Sequence, residues 1–321
     1  MKKHFENPKV EGTDWRSRGD EPFVYRADAP KDLLGVHAEV IASGLSRAES
    51  LRYLLYSPIW QGHQAPFGIR GEPASHALAV ATDRFLISHN PHTEGIEPTL
   101  QVVPFDKVLL VELGKAHLLG WFSMRFADEG QVNRVSILFR SAGIEPFAAA
   151  VREYRAADAR GRLTMSTGSR MRWKPVWRRV PTPQAVLMEP LVTPRENPLG
   201  IVRTSQTWGI RKRLWKEVPV CLSCDGVLIV TNLGLMYAAD EAAVSPSMRS
   251  YGVNVYCIPR RAIAAATIRH ELSHSTFVGR LRLELRRGDV SMPFDLPFDE
   301  RVTARAITLA RQFGLDVIHD R

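Results

Sequence analysis

The stretch "VATDRFLISH" (residues 80–89) aligns without a gap with "IVTNLGLMYA" (residues 229–238). Each stretch runs from apolar residues through Thr-Asp or Thr-Asn and back into apolar residues. This pattern predicts two strands joined by a tight turn, in which Asp83 or Asn232 supplies the turn chemistry. The repetition indicates that the chain is built from two copies of one unit.

The duplication extends to both sides of this hairpin. "VPFDKVLLVEL" (103–113) aligns with "IPRRAIAAATI" (258–268), and "LGWFSMRF" (119–126) aligns with "VGRLRLEL" (278–285). Upstream, "LRYLLYSP" (51–58) aligns with "LMEPLVTP" (187–194). Each half ends in a helical pattern, "EPFAAAVREYRAAD" (145–158) and "FDERVTARAITLARQFG" (298–314). Each unit is therefore predicted to contain about six or seven short antiparallel strands followed by one helix.

The order of these elements and the run "VATDRFLIS…VPFDKVLLVELGKAHLLGWFSMRF" resemble the bacterial pleckstrin-homology-like (PH-like, or GRAM-like) domains. The resemblance implies a mainly β (α+β) protein with two tandem, partly open antiparallel barrels, each closed by a C-terminal helix. The second copy departs from the pattern, since it has Thr-Asn-Leu in place of Thr-Asp-Arg and lacks the "VEL" ending.

These observations predict five segments. Residues 1–30 are expected to form a mobile polar tail and residues 31–44 a short helical lead-in. Residues 45–157 form the first PH-like domain, residues 158–182 a basic, tryptophan-containing linker, and residues 183–321 the second domain. The apolar side of the lead-in helix is expected to comprise Leu33, Leu34, Val36, Val40 and Ile41.

The positive charge is concentrated in the middle of the chain. The net charge is +9, but residues 159–216 contain thirteen Lys and Arg against two acids, which gives +11 there and −2 elsewhere. A localised basic region indicates an anionic partner more strongly than a diffuse charge does.

Two basic, tryptophan-bearing stretches lie in this region. "WGIRKRLWK" aligns at its start with "FGIR" (67–70) and falls between the first and second strands of its repeat; in PH domains generally, Lys and Arg of this loop often hold phosphoinositide headgroups. Its candidate contacts are Trp208, Arg211, Lys212, Arg213, Trp215 and Lys216. The linker stretch "RMRWKPVWRRV" adds Arg172, Trp173, Lys174, Arg178 and Arg179, and the two stretches together would form one face.

These features predict a non-catalytic adaptor or scaffold that docks on an anionic surface, most simply the inner leaflet of a membrane. Indole rings suit the headgroup region of a bilayer, and cations are attracted to anionic lipid. The expected partners are anionic lipid headgroups or an acidic protein surface, and no cofactor is predicted. Two alternatives remain: a protein-interaction or assembly module, with the tryptophans packing the domain interface, and a protein that binds single-stranded nucleic acid.

One motif suggests an enzyme. "HELSH" fits the H-E-x-x-H pattern, in which two histidines on a helix bind zinc and the glutamate acts as general base. The metal ligands would be His270, His274 and Glu300, with Glu271 as the base. The aligned part of the first copy reads as a strand, so we favour coincidence and expect no metal site.

The three cysteines fit a reduced, cytoplasmic setting, with peripheral attachment to the inner leaflet as an extension of that prediction. "CLSC" (221–224) has the spacing of half a zinc site, but the sequence contains no second such pair. It lies where a strand runs into a turn, which favours a structural role.

Overall fold

The computed structural model describes residues 23–46, 49–59, 74–91, 95–159, 173–213, 216–241, 252–273, 276–298, 302–312 and 317–320. Within these ranges the protein is mainly β, with several antiparallel sheets, as predicted. None of the four described sheets closes on itself, so the structure shows the fold class but not two closed barrels.

The described part of the first copy contains two groups of strands and two α-helices. The first group is an antiparallel sheet in chain order: β1 (Tyr25–Arg26), β2 (Tyr53–Ser57), β3 (Ser75–Val80), β4 (Arg84–Asn90) and β5 (Thr99–Pro104). Helix α1 (His37–Ser43) precedes β2. The second group comprises β6 (Val108–Ala116), β7 (Leu119–Asp128) and β8 (Gln131–Arg140), and helix α2 (Ile144–Asp158) follows it.

The second copy repeats this strand order with one inserted hairpin and one additional strand after its last helix. After α3 (Trp173–Trp177) and α4 (Thr182–Met188) come β9 (Pro198–Thr204), β10 (Thr207–Arg213), β11 (Lys216–Ser223), β12 (Gly226–Thr231), β13 (Gly234–Asp240) and β14 (Gly252–Pro259). Then follow β15 (Ile263–Ser273), β16 (Thr276–Arg287), β17 (Val290–Phe298), α5 (Thr303–Gln312) and β18 (Val317–Asp320). The insertion is the hairpin β10–β11, which forms a two-stranded sheet of its own.

The duplicated hairpin is confirmed in both copies, as β3–β4 and β12–β13. A single 3₁₀ turn also occurs at matching positions, over Phe105–Lys107 and over Arg260–Ala262. The upstream alignment is wrong, because residues 51–58 contain β2 whereas residues 187–194 contain the end of α4 and a 3₁₀ turn. The strand that takes the place of β2 in the second copy is β9, which pairs with β12 as β2 pairs with β3.

The two copies share one sheet. Strand β6 of the first copy pairs antiparallel with β14 of the second, so that Leu113 lies opposite Val255. The result is a seven-stranded sheet in the order β8-β7-β6-β14-β13-β12-β9. Backbone hydrogen bonds therefore join the copies directly, and the linker is not the only connection between them.

The shared sheet separates two hydrophobic cores, because successive residues of a strand face opposite sides. On β12, Val227 and Ile229 contribute to the core that contains α2 and the first copy's sheet. Leu228 and Val230 contribute to the core formed with β15, β16 and β17. Both copies supply residues to each core, so the repeats pack as one body.

The two C-terminal helices are present as predicted, and the apolar residues at helical spacing pack inward where they are described. Phe147, Val151 and Tyr154 of α2 are fully buried in the first core. Val302 and Ile307 pack against the second core. Asp299, Phe313 and Gly314, which the pattern predicts as cap, core residue and stop of the last helix, lie outside the described residues.

The lead-in segment differs from its prediction. It contains a 3₁₀ turn over Pro30–Asp32 and the separate helix α1, with Gly35 between them in the left-handed region at φ 59°. Leu33, Leu34 and Ile41 are buried as expected, but Val36 is exposed because the helix begins after it. The predicted polar tail is also too long, since Tyr25 and Arg26 pair with β2.

Helix α1 is fixed to the outer face of the first sheet by a histidine. The two ring nitrogens of buried His37 each lie 2.8 Å from a hydroxyl oxygen, one on Ser88 and one on Ser75.

In the described part of the chain, no helix is both long and apolar enough to cross a membrane.

Candidate functional site

The basic stretch of the second copy forms a projecting hairpin, which we call the basic arm (Thr207–Ser223). Its two strands, β10 and β11, pair antiparallel from Thr207 opposite Ser223 to Arg213 opposite Lys216. Seven residues of strand give the arm a length of about 24 Å. In the sequence it carries four cations and one acid, Glu217, a net charge of +3.

Hydrogen bonds hold the base of the basic arm. The Ser223 hydroxyl donates to the carbonyl oxygen of Ser205 at 2.9 Å, and the Thr204 hydroxyl donates to the carbonyl oxygen of Cys224 at 3.3 Å. On the side of β16, the Thr276 hydroxyl donates to the carbonyl oxygen of Trp208 at 3.2 Å. These contacts lie at the start of β10 and the end of β11, so the arm is fixed at its base.

Beyond the base, the arm is exposed and mixes charge with apolar surface. Arg211, Lys212 and Lys216 are exposed, together with Ile210 at 52% and Val218 at 42%. Arg211 lies opposite Val218 in the register, and Lys212 lies opposite Glu217. Because successive residues of a strand face opposite sides, Ile210 lies with Lys212 on one face of the hairpin and Val218 lies with Arg211 on the other. Each face therefore carries an exposed aliphatic side chain beside a cation.

Of the two tryptophans in the sequence of the arm, the structure describes Trp208. Trp208 lies at the base, opposite Cys221, and is half-buried. Trp215 lies outside the described residues, and Arg213 is described only through its backbone position opposite Lys216. The exposed apolar residues that the structure describes on the arm are therefore Ile210 and Val218, not Trp208.

The linker tryptophans pack against the protein. Trp173 and Trp177 stack with their ring centroids 5.0 Å apart and contact the first core. The Trp173 indole N–H donates to the carbonyl oxygen of Glu196 at 2.8 Å. Among the linker cations, Lys174, Arg178 and Arg179 are exposed, and Arg172 lies outside the described residues. Trp173 and Trp177 therefore have a packing role, as the alternative interpretation of the tryptophans expects.

The two basic stretches are attached to opposite ends of β9. Trp173 contacts Glu196, two residues before β9 begins, whereas the arm starts three residues after β9 ends. A seven-residue strand separates these points by about 23 Å. The expectation of one continuous basic face is therefore not met where the two stretches join the sheet.

Beneath the linker lies a buried ion pair between the two copies. Arg155 of α2 forms an ion pair with Glu196, and both side chains are buried. Arg155 also donates to the carbonyl oxygen of Leu191 at 2.6 Å, and the other carboxylate oxygen of Glu196 accepts from the backbone N–H of Thr193 at 3.1 Å. The pair ties the helix of the first copy to the segment that leads into β9.

Acidic groups cluster beside the base of the arm. The carboxylate of Asp225 accepts from the backbone N–H of Gln206 at 3.0 Å. Burial and, secondly, the charge of Asp225 raise the pKa of Asp240 to about 6, although a hydrogen bond from Gln184 acts in the opposite direction. Burial likewise raises the pKa of the neighbouring Glu241 to about 7. The arm therefore has acidic residues beside its base and basic residues on its outer part.

The zinc interpretation of "HELSH" is wrong for the residues that are described. His270 and Glu271 lie in strand β15, opposite Gly279 and Val278 of β16. The motif binds zinc from a helix, on which side chains four residues apart share one face, and His270 and Glu271 do not lie on a helix. His274 and Glu300 lie outside the described residues. Within the described ranges, no three or more His, Cys, Asp and Glu side chains are arranged to hold a metal.

Sequence reasoning missed Ile210 and Val218. The signal that could have found them is the period-two alternation in "TWGIRKR" and "KEVPVCLS", which predicts a hairpin and not an irregular loop. The cations and tryptophans of "WGIRKRLWK" interrupt this alternation of apolar residues.

Comparison with known proteins gives no assignment. No family model matches the chain, and no curated protein matches it. The function must therefore be argued from the arm itself.

Proposed function

We propose that the protein is a non-catalytic adaptor that docks on anionic membranes through its basic arm. The observation that carries the proposal is the exposed outer part of the β10–β11 hairpin, where Arg211, Lys212 and Lys216 flank Ile210 and Val218. The resemblance of the repeats to PH-like domains adds support, because this connection is where such domains often hold phosphorylated headgroups.

The electrostatic part of this docking is modest and sensitive to salt. Each cation beside an anionic leaflet contributes about 1 kcal/mol. Four cations opposed by one acid therefore give about 3 kcal/mol beside an anionic leaflet, and added salt lowers this value. The fixed base keeps the cations together on a strand pair, so less conformational entropy is lost on binding than for a flexible basic loop.

The apolar part sets the preference for a bilayer over other anionic partners. Ile210 and Val218 are each about half exposed, and covering the rest of each side chain contributes about 1 kcal/mol. Since the two side chains lie on opposite faces of the hairpin, one of them contacts a flat bilayer, and the total of about 4 kcal/mol corresponds to a dissociation constant near 1 mM. This is reversible recruitment, of the strength expected when a single weak signal anchors a protein.

Co-sedimentation with lipid vesicles tests the proposal. We expect the full chain to pellet with vesicles that contain phosphatidylserine or phosphoinositide, and to remain in solution with neutral phosphatidylcholine vesicles. Raising the salt concentration from low to physiological should weaken the binding, because surface charges are screened. Absence of binding to every vesicle would reject the lipid proposal, and binding to single-stranded oligonucleotides alone would favour the nucleic-acid alternative.

A second candidate function, assembly with further copies of the chain, is favoured by strand β5. Strand β5 is an edge of its sheet, whereas its counterpart β14 in the second copy has that edge covered by β6. Among the described edge strands, β5 alone has no charged residue in its sequence, and Val102 on it is 46% exposed. Edge strands are usually protected by charge, proline or a cover. The proline of β5, Pro104, is its last residue, so the preceding part of the described edge can pair with a partner strand.

The occupant that we infer for this edge is β5 of a second chain, paired antiparallel about a two-fold axis. Light scattering should then show a dimer that Val102→Lys converts to a monomer, because a lysine disfavours edge pairing. Val132→Lys is the matched control, since Val132 is a similarly exposed valine on the edge strand β8. A monomer at all concentrations, or equal effects of both variants, would contradict assembly through β5.

A further inference from the structure

Two thiols lie in contact at the base of the basic arm. The Sγ atoms of Cys221, in β11, and Cys224, in the turn before β12, are 3.8 Å apart. Both residues are half-buried, whereas the third cysteine, Cys257, is buried in the first core. A small reagent can therefore reach the first two thiols while Cys257 is protected, which makes Cys257 an internal control.

The surroundings of Cys224 favour its thiol form at neutral pH. Burial, followed by the charge and hydrogen bond of Cys221 and by the charges of Asp240 and Asp225, raises the pKa of Cys224 to about 12. The Cys221 thiol donates to the carbonyl oxygen of Ser223 at 3.2 Å. Within the described residues, the pair lacks the further ligands that a closed zinc site needs. The chemistry that remains open to two adjacent thiols is their oxidation.

We propose that Cys221 and Cys224 form a reversible intramolecular disulfide in the presence of a low-molecular-weight disulfide such as oxidised glutathione. The thiolate of Cys221 attacks one sulfur of the reagent and releases the first thiol, leaving a mixed disulfide on Cys221. The thiolate of Cys224 then attacks the Cys221 sulfur and releases the second thiol. Two protein thiols are oxidised, the reagent is reduced to two thiols, and the two protons pass to solvent or to the released thiolates.

The geometry requires only a local adjustment. The sulfur atoms must approach from 3.8 Å to about 2.05 Å, a change that rotation of the two side chains and a shift of the short turn can supply. The bond would connect the end of β11, where Cys221 lies opposite Trp208, to the turn that leads into β12. Oxidation would therefore restrain the base of the basic arm, whatever surface the arm contacts.

Thiol counting and mass spectrometry on the full chain test the proposal without any membrane. Treatment with oxidised glutathione at pH 8 should reduce the free thiols, measured after denaturation, from three to one. The intact mass should decrease by two hydrogens, and a reductant should reverse both changes. The reaction should accelerate as the pH rises, since the thiolate and not the thiol attacks a disulfide.

Three variants identify the bond. Cys257→Ser should still form the disulfide and fall from two thiols to none, whereas Cys221→Ser and Cys224→Ser should form no internal disulfide. Stable glutathione adducts in place of the internal bond, disulfides between chains, or three thiols that persist after treatment would each overturn the proposal. Failure of vesicle binding would leave this result unchanged, because the chemistry does not depend on the function of the arm.

Discussion

Glu196→Ala is expected to lower the free energy of unfolding by about 3–5 kcal/mol. Both partners of the Arg155–Glu196 pair are buried, so the substitution leaves the guanidinium charge of Arg155 inside the protein without its counter-ion. The same change removes the carboxylate that accepts the backbone N–H of Thr193. Chemical denaturation monitored by tryptophan fluorescence measures the effect.

Two comparisons separate loss of the ion pair from loss of a side chain. Glu189→Ala removes an exposed glutamate of the same connecting segment and should change stability by less than about 0.5 kcal/mol. The double change Arg155→Met with Glu196→Leu removes both charges and should recover most of the lost stability. If the free energy of unfolding of Glu196→Ala lies within about 1 kcal/mol of that of the original chain, the ion pair does not hold the two copies together as described.

Several parts of the fold could be predicted from the sequence because they depend on local patterns. The hairpin with Asp83 and its counterpart with Asn232 follow from short-range alternation and turn residues. The buried stripe of α2, with Phe147 and Val151, follows from helical spacing. These features require no knowledge of what packs against them.

The parts that were missed depend on long-range pairing. The contact of β6 with β14 joins residues more than a hundred positions apart, and no local periodicity indicates which edge a strand will find. The false alignment of residues 187–194 has a related cause. Leu187, Met188 and Leu191 are apolar because they are buried beside the shared sheet, and they have no strand counterpart in the first copy.

The candidate site was predicted in composition but not in shape. The sequence identified Arg211 and Lys212 as surface cations, and both are exposed. From the sequence, Trp208 and Trp173 were equal candidates for surface contact. In the structure, Trp173 stacks on Trp177 and its indole N–H donates a hydrogen bond to the carbonyl oxygen of Glu196. Charge can be read from a sequence directly, whereas the exposure of a tryptophan depends on the tertiary contacts around it.

Reversal of two arm charges is the second prediction with a large effect. In the double variant Arg211→Glu, Lys212→Glu, the net charge of the arm changes from +3 to −1. At about 1 kcal/mol per unit of charge, binding to anionic vesicles should weaken about a thousandfold, which is loss of detectable binding. The melting temperature should be unchanged, because both side chains are exposed on the outer part of the arm.

The linker supplies a control with the same change in charge. Arg178 and Arg179 are also adjacent, exposed arginines, but they belong to the stretch at the opposite end of β9. Arg178→Glu with Arg179→Glu lowers the net charge of the protein by the same four units. It should reduce vesicle binding only through the general field of the protein, by a much smaller factor at physiological salt.

Co-sedimentation of these two double variants and the original chain, on the same anionic vesicles at physiological salt, shows whether the basic arm is the membrane contact. We expect the original chain and the linker variant to pellet with the vesicles and the arm variant to stay in solution. Equal binding by the arm variant and the original chain, or equal loss in both variants, would show that the basic arm is not the membrane contact.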